Sequence, residues 1–165
     1  MSVNKFQPHV YVIPEDRADE QIANGFVLHD QIDTRQIRVL QCANGWGDVL
    51  EKFEIEYIPY LRKWPVAHVV LLIDFDAQYE GRRKRFDDAI PADLKNRVFV
   101  VGAKETPEAL KQALKMNFEK IGGSLAEDCY QGTVRLWSHE LLSHNEPDRL
   151  HLVETVRSIV FPNRS

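Results

Sequence analysis

The sequence VVLLIDFD, residues 69–76, decides the fold class of this chain. It opens with five apolar residues in a row, from Val69 to Ile73, rather than with alternating apolar and polar residues. Such a run is typical of a strand buried on both faces, as strands are in parallel sheets covered by helices. Two carboxylates, Asp74 and Asp76, follow where the strand is predicted to end. Because unpaired charges are costly beside a buried strand, the stretch predicts a site as well as a strand.

Strand-like and helix-like patterns alternate on either side of this stretch. The other predicted strands are residues 8–14, 37–43 and 97–103, with helix-prone segments between them. This alternation predicts an α/β fold of three layers, in which a mostly parallel four-stranded sheet has helices on both faces, as in Rossmann-like folds. We expect a single domain over residues 1–165, with its core at about residues 8–123 and a helical C-terminal segment at residues 124–161. That segment is predicted to cover one face of the sheet, and a homodimer or partner-protein surface is the alternative.

Glycines are predicted to end two of the helices. Gly25 is a candidate C-cap for the helix after the first strand. The clearest helical pattern of the chain has Thr106 as its N-cap and Pro107 at its first position, and we expect it to close at Gly122 or Gly123.

Composition excludes some classes of function. The 165 residues carry 21 Lys and Arg against 25 Asp and Glu, and this net charge of −4 argues against a broadly basic nucleic-acid binder. It leaves room for an enzyme that meets phosphates through metal ions, because carboxylate ligands make such a site acidic. No apolar run approaches the roughly 20 residues of a membrane span, and no signal-peptide pattern opens the chain, so we expect a cytoplasmic protein without membrane contact.

Acidic residues follow three of the four predicted strands. Glu15 and Asp19 come after the first strand, Asp74 and Asp76 after the third, and Glu105 after the fourth. The carboxyl ends of parallel strands lie at one edge of a sheet, where ligands bind in this class of fold. Two residues apart on a strand, Asp74 and Asp76 are expected to point the same way. Converging carboxylates repel one another, and their hard oxygens suit Mg²⁺ or Mn²⁺. For the acids after the first strand, Glu15 and Asp19, the alternative is that they lie at the N-terminus of a helix, where the helix dipole favours acidic side chains.

These motifs resemble the Toprim domain of topoisomerases, primases and overcoming-lysogenization-defect nucleases. That family has a Glu after its first strand, often in E-G-x-x-D, and an Asp-x-Asp after its third. Here VYVIPEDRAD places Glu15 and Asp19 at that spacing, and LLIDFD supplies Asp74 and Asp76, so the resemblance covers residues 10–114. The family's glycine is Asp16 in this chain.

The resemblance implies a stand-alone Mg²⁺-dependent (or Mn²⁺-dependent) phosphodiester-cleaving protein that acts on nucleic acid, in DNA processing or in defence against mobile DNA. It implies Glu15, Asp74 and Asp76 as metal ligands, with Asp19 at a second site and Glu105 as a further acid. Glu15 is the candidate catalytic base, and its role as a ligand is left open.

A basic run follows the aspartate pair. In GRRKR, the side chains of Arg82, Arg83 and Arg85 are candidates for binding phosphate, and the alternative is a solvated helix face.

Two other functions stay open at the level of the sequence. The first is a scaffold that keeps the fold without the activity, which Asp16 and the acidic net charge favour. A separation of more than about 8 Å between Glu15 and the aspartate pair would support it. The second is a receiver-like domain in which an aspartate accepts phosphate. It would use Glu15 and Asp16 as the acidic pair, Asp74 or Asp76 as acceptor, and Lys104 after the fourth strand.

Overall fold

The sheet has four strands, all parallel. The computed structural model describes residues 3–164, and its strands are β1 (His9–Pro14), β2 (Ile37–Val39), β3 (Ala67–Leu72) and β4 (Val98–Val101). Their order in the sheet is β2-β1-β3-β4. The register pairs Val12 with Val39 on one side and with Val70 on the other. The predicted α/β fold with a parallel four-stranded sheet is therefore confirmed, and every described strand pair is parallel.

Helices cover both faces of this sheet and make the three predicted layers. They are α1 (Arg17–Val27), α2 (Trp46–Lys52), α3 (Ile58–Lys63), α4 (Tyr79–Ala89), α5 (Pro107–Leu114), α6 (Phe118–Gln131), α7 (Glu146–Thr155) and α8 (Arg157–Val160). A π-helical turn, Phe53–Tyr57, joins α2 to α3, and 3₁₀ turns lie at Ala92–Arg97 and Ser143–Asn145. Among residues 3–164, no helix combines the length and apolar character that crossing a membrane requires.

Alternate residues of the strands enter two different cores. Val69, Leu71 and Ile73 face a core formed with α2, α3 and α4, whereas Val70 and its neighbours on β1 and β4 face α1 and α6. This is the period-two alternation of a strand, and both sides of it are apolar because both faces are covered. The uninterrupted apolar run in the sequence follows directly from this arrangement.

The C-terminal segment covers the second face, as predicted. Val156, Val160 and Phe161 are buried against the strands in the same core as Val70. Arg83 of α4 fastens the preceding helix to the sheet edge, because its guanidinium donates to the carboxylate of Asp148 in α7 and to the carbonyl oxygen of Val100.

Both glycine-based helix ends are wrong. Helix α1 continues through Gly25 to Val27, and the predicted single helix after Thr106 is two helices, with Gly122 inside the second. Thr106 does cap α5, but α5 ends at Leu114 before a left-handed residue, and α6 then begins. The glycines serve packing instead: a Cβ on Gly25 would lie 2.1 Å from a backbone oxygen of α6, and a Cβ on Gly122 would lie 1.8 Å from one of α1. Backbones this close require residues without side chains.

The strand order creates a crevice between β1 and β3. The chain leaves β1 for β2 on one side of the sheet and then crosses to β3 on the other side. Neighbouring connections therefore leave in opposite directions, and in open α/β sheets this switch point at the carboxyl ends of the strands is where ligands bind. Glu15 directly follows β1, and Asp74 is the second residue after β3.

Candidate metal centre

Glu15 and Asp74 lie next to each other at this switch point. The Oε1 atom of Glu15 accepts a hydrogen bond of 2.9 Å from the backbone N–H of Asp74, so the two strand ends are joined directly. Both residues are buried, with 7% of Glu15 and 3% of Asp74 exposed. Together with Asp16 they form a group in which one carboxylate oxygen from each lies within 4.8 Å of the others. We call Glu15, Asp16 and Asp74 the acidic cluster.

Asp16 is the member of the acidic cluster that the sequence did not single out as a metal ligand. It is the N-cap of α1, and its Oδ1 accepts a 2.9 Å hydrogen bond from the N–H of Asp19. The cap holds the carboxylate beside the end of β1, because the capping residue precedes the first helical turn. The available signal was an acid directly after Glu15, at the position of the family's glycine.

Asp19 is a buried neighbour of the acidic cluster. It is 1% exposed, and its carboxyl group is close enough to that of Asp74 for the two to influence each other. Among the described residues, Asp19 Oδ2 and Asp74 Oδ1 are buried oxygens without a hydrogen-bond donor. Two facing carboxyl groups of this kind require a shared proton or a nearby cation, since buried charge without either is strongly unfavourable.

Burial dominates the electrostatics of the site. It raises the pKa of Asp19 well above its ordinary value, and the negative charges of Asp74, Asp16 and Glu15 raise it further. Burial likewise raises the pKa of Asp74 to about 8, against a smaller opposing effect of the hydrogen bond with Asp19. The pKa of Glu15 is raised by burial and held back by the N–H of Asp74. Without a cation the centre therefore retains protons near neutral pH.

The donor set fits a hard divalent cation. Every ligand atom of the acidic cluster is a carboxylate oxygen, and such oxygens select Mg²⁺ or Mn²⁺ over softer metals. Asp74 of the acidic cluster also has a buried oxygen without a donor, and so has its neighbour Asp19. The structure thus supports a centre that can bind a metal ion, and the identity of the ion belongs to the proposal below.

Asp76 lies at the rim and outside the acidic cluster. Its side chain is 41% exposed, and its Oδ2 is 3.0 Å from Nη1 of Arg82. β3 ends at Leu72, and the backbone at Asp76 is left-handed, with φ of 48°. The expectation that Asp74 and Asp76 point the same way required an extended strand through both residues. The backbone at Asp76 is not extended, so this expectation has no basis in the structure. The charge of Asp76 still reaches the centre, because it contributes to the raised pKa of Glu15.

The other predicted site residues lie outside the acidic cluster and differ in their contacts. Glu105 is exposed, and its carbonyl oxygen, rather than its carboxylate, holds the N–H of Asp76 at 2.9 Å. Arg82 binds the carbonyl oxygen of Asp74 and the carboxylate of Asp76. Arg83 is committed to the contacts with α7 and β4 described above, and Arg85 is exposed on α4. Of the three arginines, only Arg82 contacts the edge of the site.

Comparisons of the chain with protein families, with curated proteins and with solved structures found no match. The Toprim-like interpretation therefore rests on the spacing of the acidic residues and on their order along the sheet.

Proposed function

We propose that this chain is a Toprim-like protein that cleaves phosphodiesters of nucleic acid with Mg²⁺ or Mn²⁺ bound at the acidic cluster. The observation that carries the proposal is the pair of buried, donor-less carboxylate oxygens of Asp19 and Asp74 beside Glu15 and Asp16. This group lies at the switch point of a parallel sheet, where the fold class binds its ligands.

Each acidic residue of the site has its own role in the proposed reaction. A bound divalent cation polarises a phosphoryl oxygen and lowers the pKa of an attacking water. Glu15, Asp16 and Asp74 would hold the cation, and Asp19 would orient Asp74 through their carboxyl contact. Glu15 spends one oxygen on the N–H of Asp74, so its second oxygen is the one that can bind the ion or accept the proton of a water.

Arg82 is the candidate contact for the phosphate. Both of its hydrogen bonds to Asp74 and Asp76 use Nη1, which leaves Nε and Nη2 for a phosphoryl oxygen. A guanidinium group that is already fixed on one side binds an oxyanion with little further loss of freedom.

Nicking of supercoiled plasmid and cleavage of single-stranded DNA test the proposal. We expect cleavage by the wild-type protein with Mn²⁺ or Mg²⁺, none with a chelator, and a loss of about 100-fold or more in Asp74→Asn and Glu15→Gln. Glu105→Gln is the matched control, since its carboxylate is exposed and its role at the site is through the backbone. A wild-type protein that binds no divalent ion, or an Asp74→Asn variant as active as wild type, would contradict the proposal.

One observation favours a second candidate, the receiver-like phospho-acceptor. The acidic cluster consists of two acids after β1 and one aspartate after β3, with Asp76 outside it. The strand order also matches the first four strands of the flavodoxin-like arrangement, in which the ligand lies between β1 and β3. Incubation with acetyl phosphate and Mg²⁺, followed by mass spectrometry, decides it: one added phosphoryl group that is lost in Asp74→Asn supports this function, and an unchanged mass excludes it.

The scaffold alternative has lost its geometric support. A separation of more than about 8 Å between Glu15 and the aspartate pair would have supported it, whereas Glu15 accepts a hydrogen bond from the N–H of Asp74; Asp16 and the acidic net charge still favour it. The DNA-cleavage and phosphorylation assays together distinguish all three functions.

A further inference from the structure

Asp76 already has a positive partner in the structure. Nη1 of Arg82 lies 3.0 Å from its carboxylate and 2.7 Å from the carbonyl oxygen of Asp74. A single nitrogen thus bridges the two aspartates that the sequence assigned to metal ions. The charge of Asp76 is balanced by the protein itself.

Arg82 is held in this position from its other side. Its guanidinium lies over the indole ring of Trp46, with 4.7 Å between the guanidinium carbon and the ring centroid. The side chain is only 10% exposed. A cation–π contact combined with two charge-assisted hydrogen bonds fixes both the position and the plane of the guanidinium.

The backbone of Asp76 is fixed as well. Asp76 and Ala77 both have left-handed conformations, with φ of 48° and 59°, and their N–H groups donate to the carbonyl oxygens of Glu105 and Lys104. Two consecutive left-handed residues that are not glycine persist only where surrounding contacts enforce them. Asp76 would have to break these contacts, as well as its pair with Arg82, to join the acidic cluster.

We infer that the Arg82 guanidinium takes the place of a second metal ion. The centre would then bind one divalent cation at the acidic cluster, while Arg82 supplies the second positive charge to a phosphoryl group. In two-metal sites the ions are about 3.5–4 Å apart, and the Arg82 guanidinium is hydrogen-bonded to Asp74 and Asp76, the two residues that a neighbouring ion would share. This inference rests on the proposed metal function of the acidic cluster.

Mn²⁺ titration of the metal-stripped protein, by calorimetry and by electron paramagnetic resonance, tests the inference. We expect one Mn²⁺ per chain in wild type, with the signal of an isolated ion. Arg82→Gln should bind a second, weaker Mn²⁺ and show the spin coupling of a neighbouring pair, because Asp76 is then left without its cation. Arg82→Lys should restore one ion, and Arg85→Gln, on the exposed part of α4, should match wild type.

Each result decides something specific. Two coupled ions in wild type would overturn the role of Arg82 and leave the metal centre intact, whereas no ion in wild type would overturn the proposed function together with the inference. A folded Arg82→Gln variant that binds a single ion would also overturn the inference.

If Arg82→Gln does not fold, Asp76→Asn replaces it as the test variant. We expect less than about a fivefold change in the Mn²⁺ dissociation constant, since Asp76 is not a ligand, and a larger loss would overturn the inference.

Discussion

Replacing the ionisable carboxyl group of Asp74 should stabilise the protein when no metal is bound. In Asp74→Asn the buried carboxyl group becomes an amide of the same size. Burial raises the pKa of Asp74 from 3.8 to about 8, so folding at pH 7 requires the side chain to keep a proton that it would lose in the unfolded chain. At about 1.36 kcal/mol per pH unit, this costs on the order of 4 kcal/mol at pH 7.

The sign of the effect follows from the direction of the shift. A carboxyl group whose pKa is raised by folding stabilises the folded state fully below its unfolded value of 3.8, and this contribution is lost as the pH rises through about 8. Asparagine has no such loss, and its Nδ2 can donate to the Asp19 Oδ2 that lacks a donor. The gain in Asp74→Asn should therefore be largest at neutral pH and above and should disappear near pH 4.

Thermal and urea unfolding in the presence of a chelator measure this gain. An increase of 1 kcal/mol in the free energy of unfolding raises the melting temperature of a domain of this size by about 2–4 °C. Asp30→Asn is the matched control, because the side chain of Asp30 is 86% exposed and its substitution should change stability little at any pH. An Asp74→Asn variant that is less stable than wild type at pH 7, or whose gain persists at pH 4, would refute the reasoning.

Three further predictions concern the metal and the packing. Mn²⁺ should raise the melting temperature of the wild-type protein more at pH 8 than at pH 5, because the cation competes with protons for the acidic cluster; an equal shift at both values would contradict this. Gly122→Ala should cost about 2 kcal/mol or more in urea unfolding, because its Cβ would lie 1.8 Å from a backbone oxygen of α1. Gly47→Ala, whose Cβ would meet nothing within 4 Å, is the control, and equal effects of the two would count against the packing argument. Arg83→Gln should cost about 3 kcal/mol, because it leaves Asp148 buried without its partner, whereas Arg85→Gln should be neutral; calorimetric unfolding compares the two.

Local pattern was sufficient for the sheet. The apolar run before Asp74 is a strand because both of its faces meet helices, and the same physical cause produces both the pattern and the burial. Local pattern failed at Gly25 and Gly122, which look like helix ends in one dimension. Their role depends on how closely α1 and α6 approach each other, and no window of sequence contains both helices.

The candidate site likewise has features that the local sequence determined and features that only the tertiary structure decided. The sequence by itself determined that Glu15 and Asp74 stand at the carboxyl ends of two parallel strands, because strand length and alternation are local properties. The tertiary structure alone decided that these strands are neighbours and that the cap of α1 brings Asp16 beside them. It also decided that a left-handed turn and Arg82 keep Asp76 at the rim, although Asp74 and Asp76 are two residues apart in the chain. Such placements come from strand order and from contacts between separate loops, which are set by packing over the whole domain rather than by the spacing of residues along it.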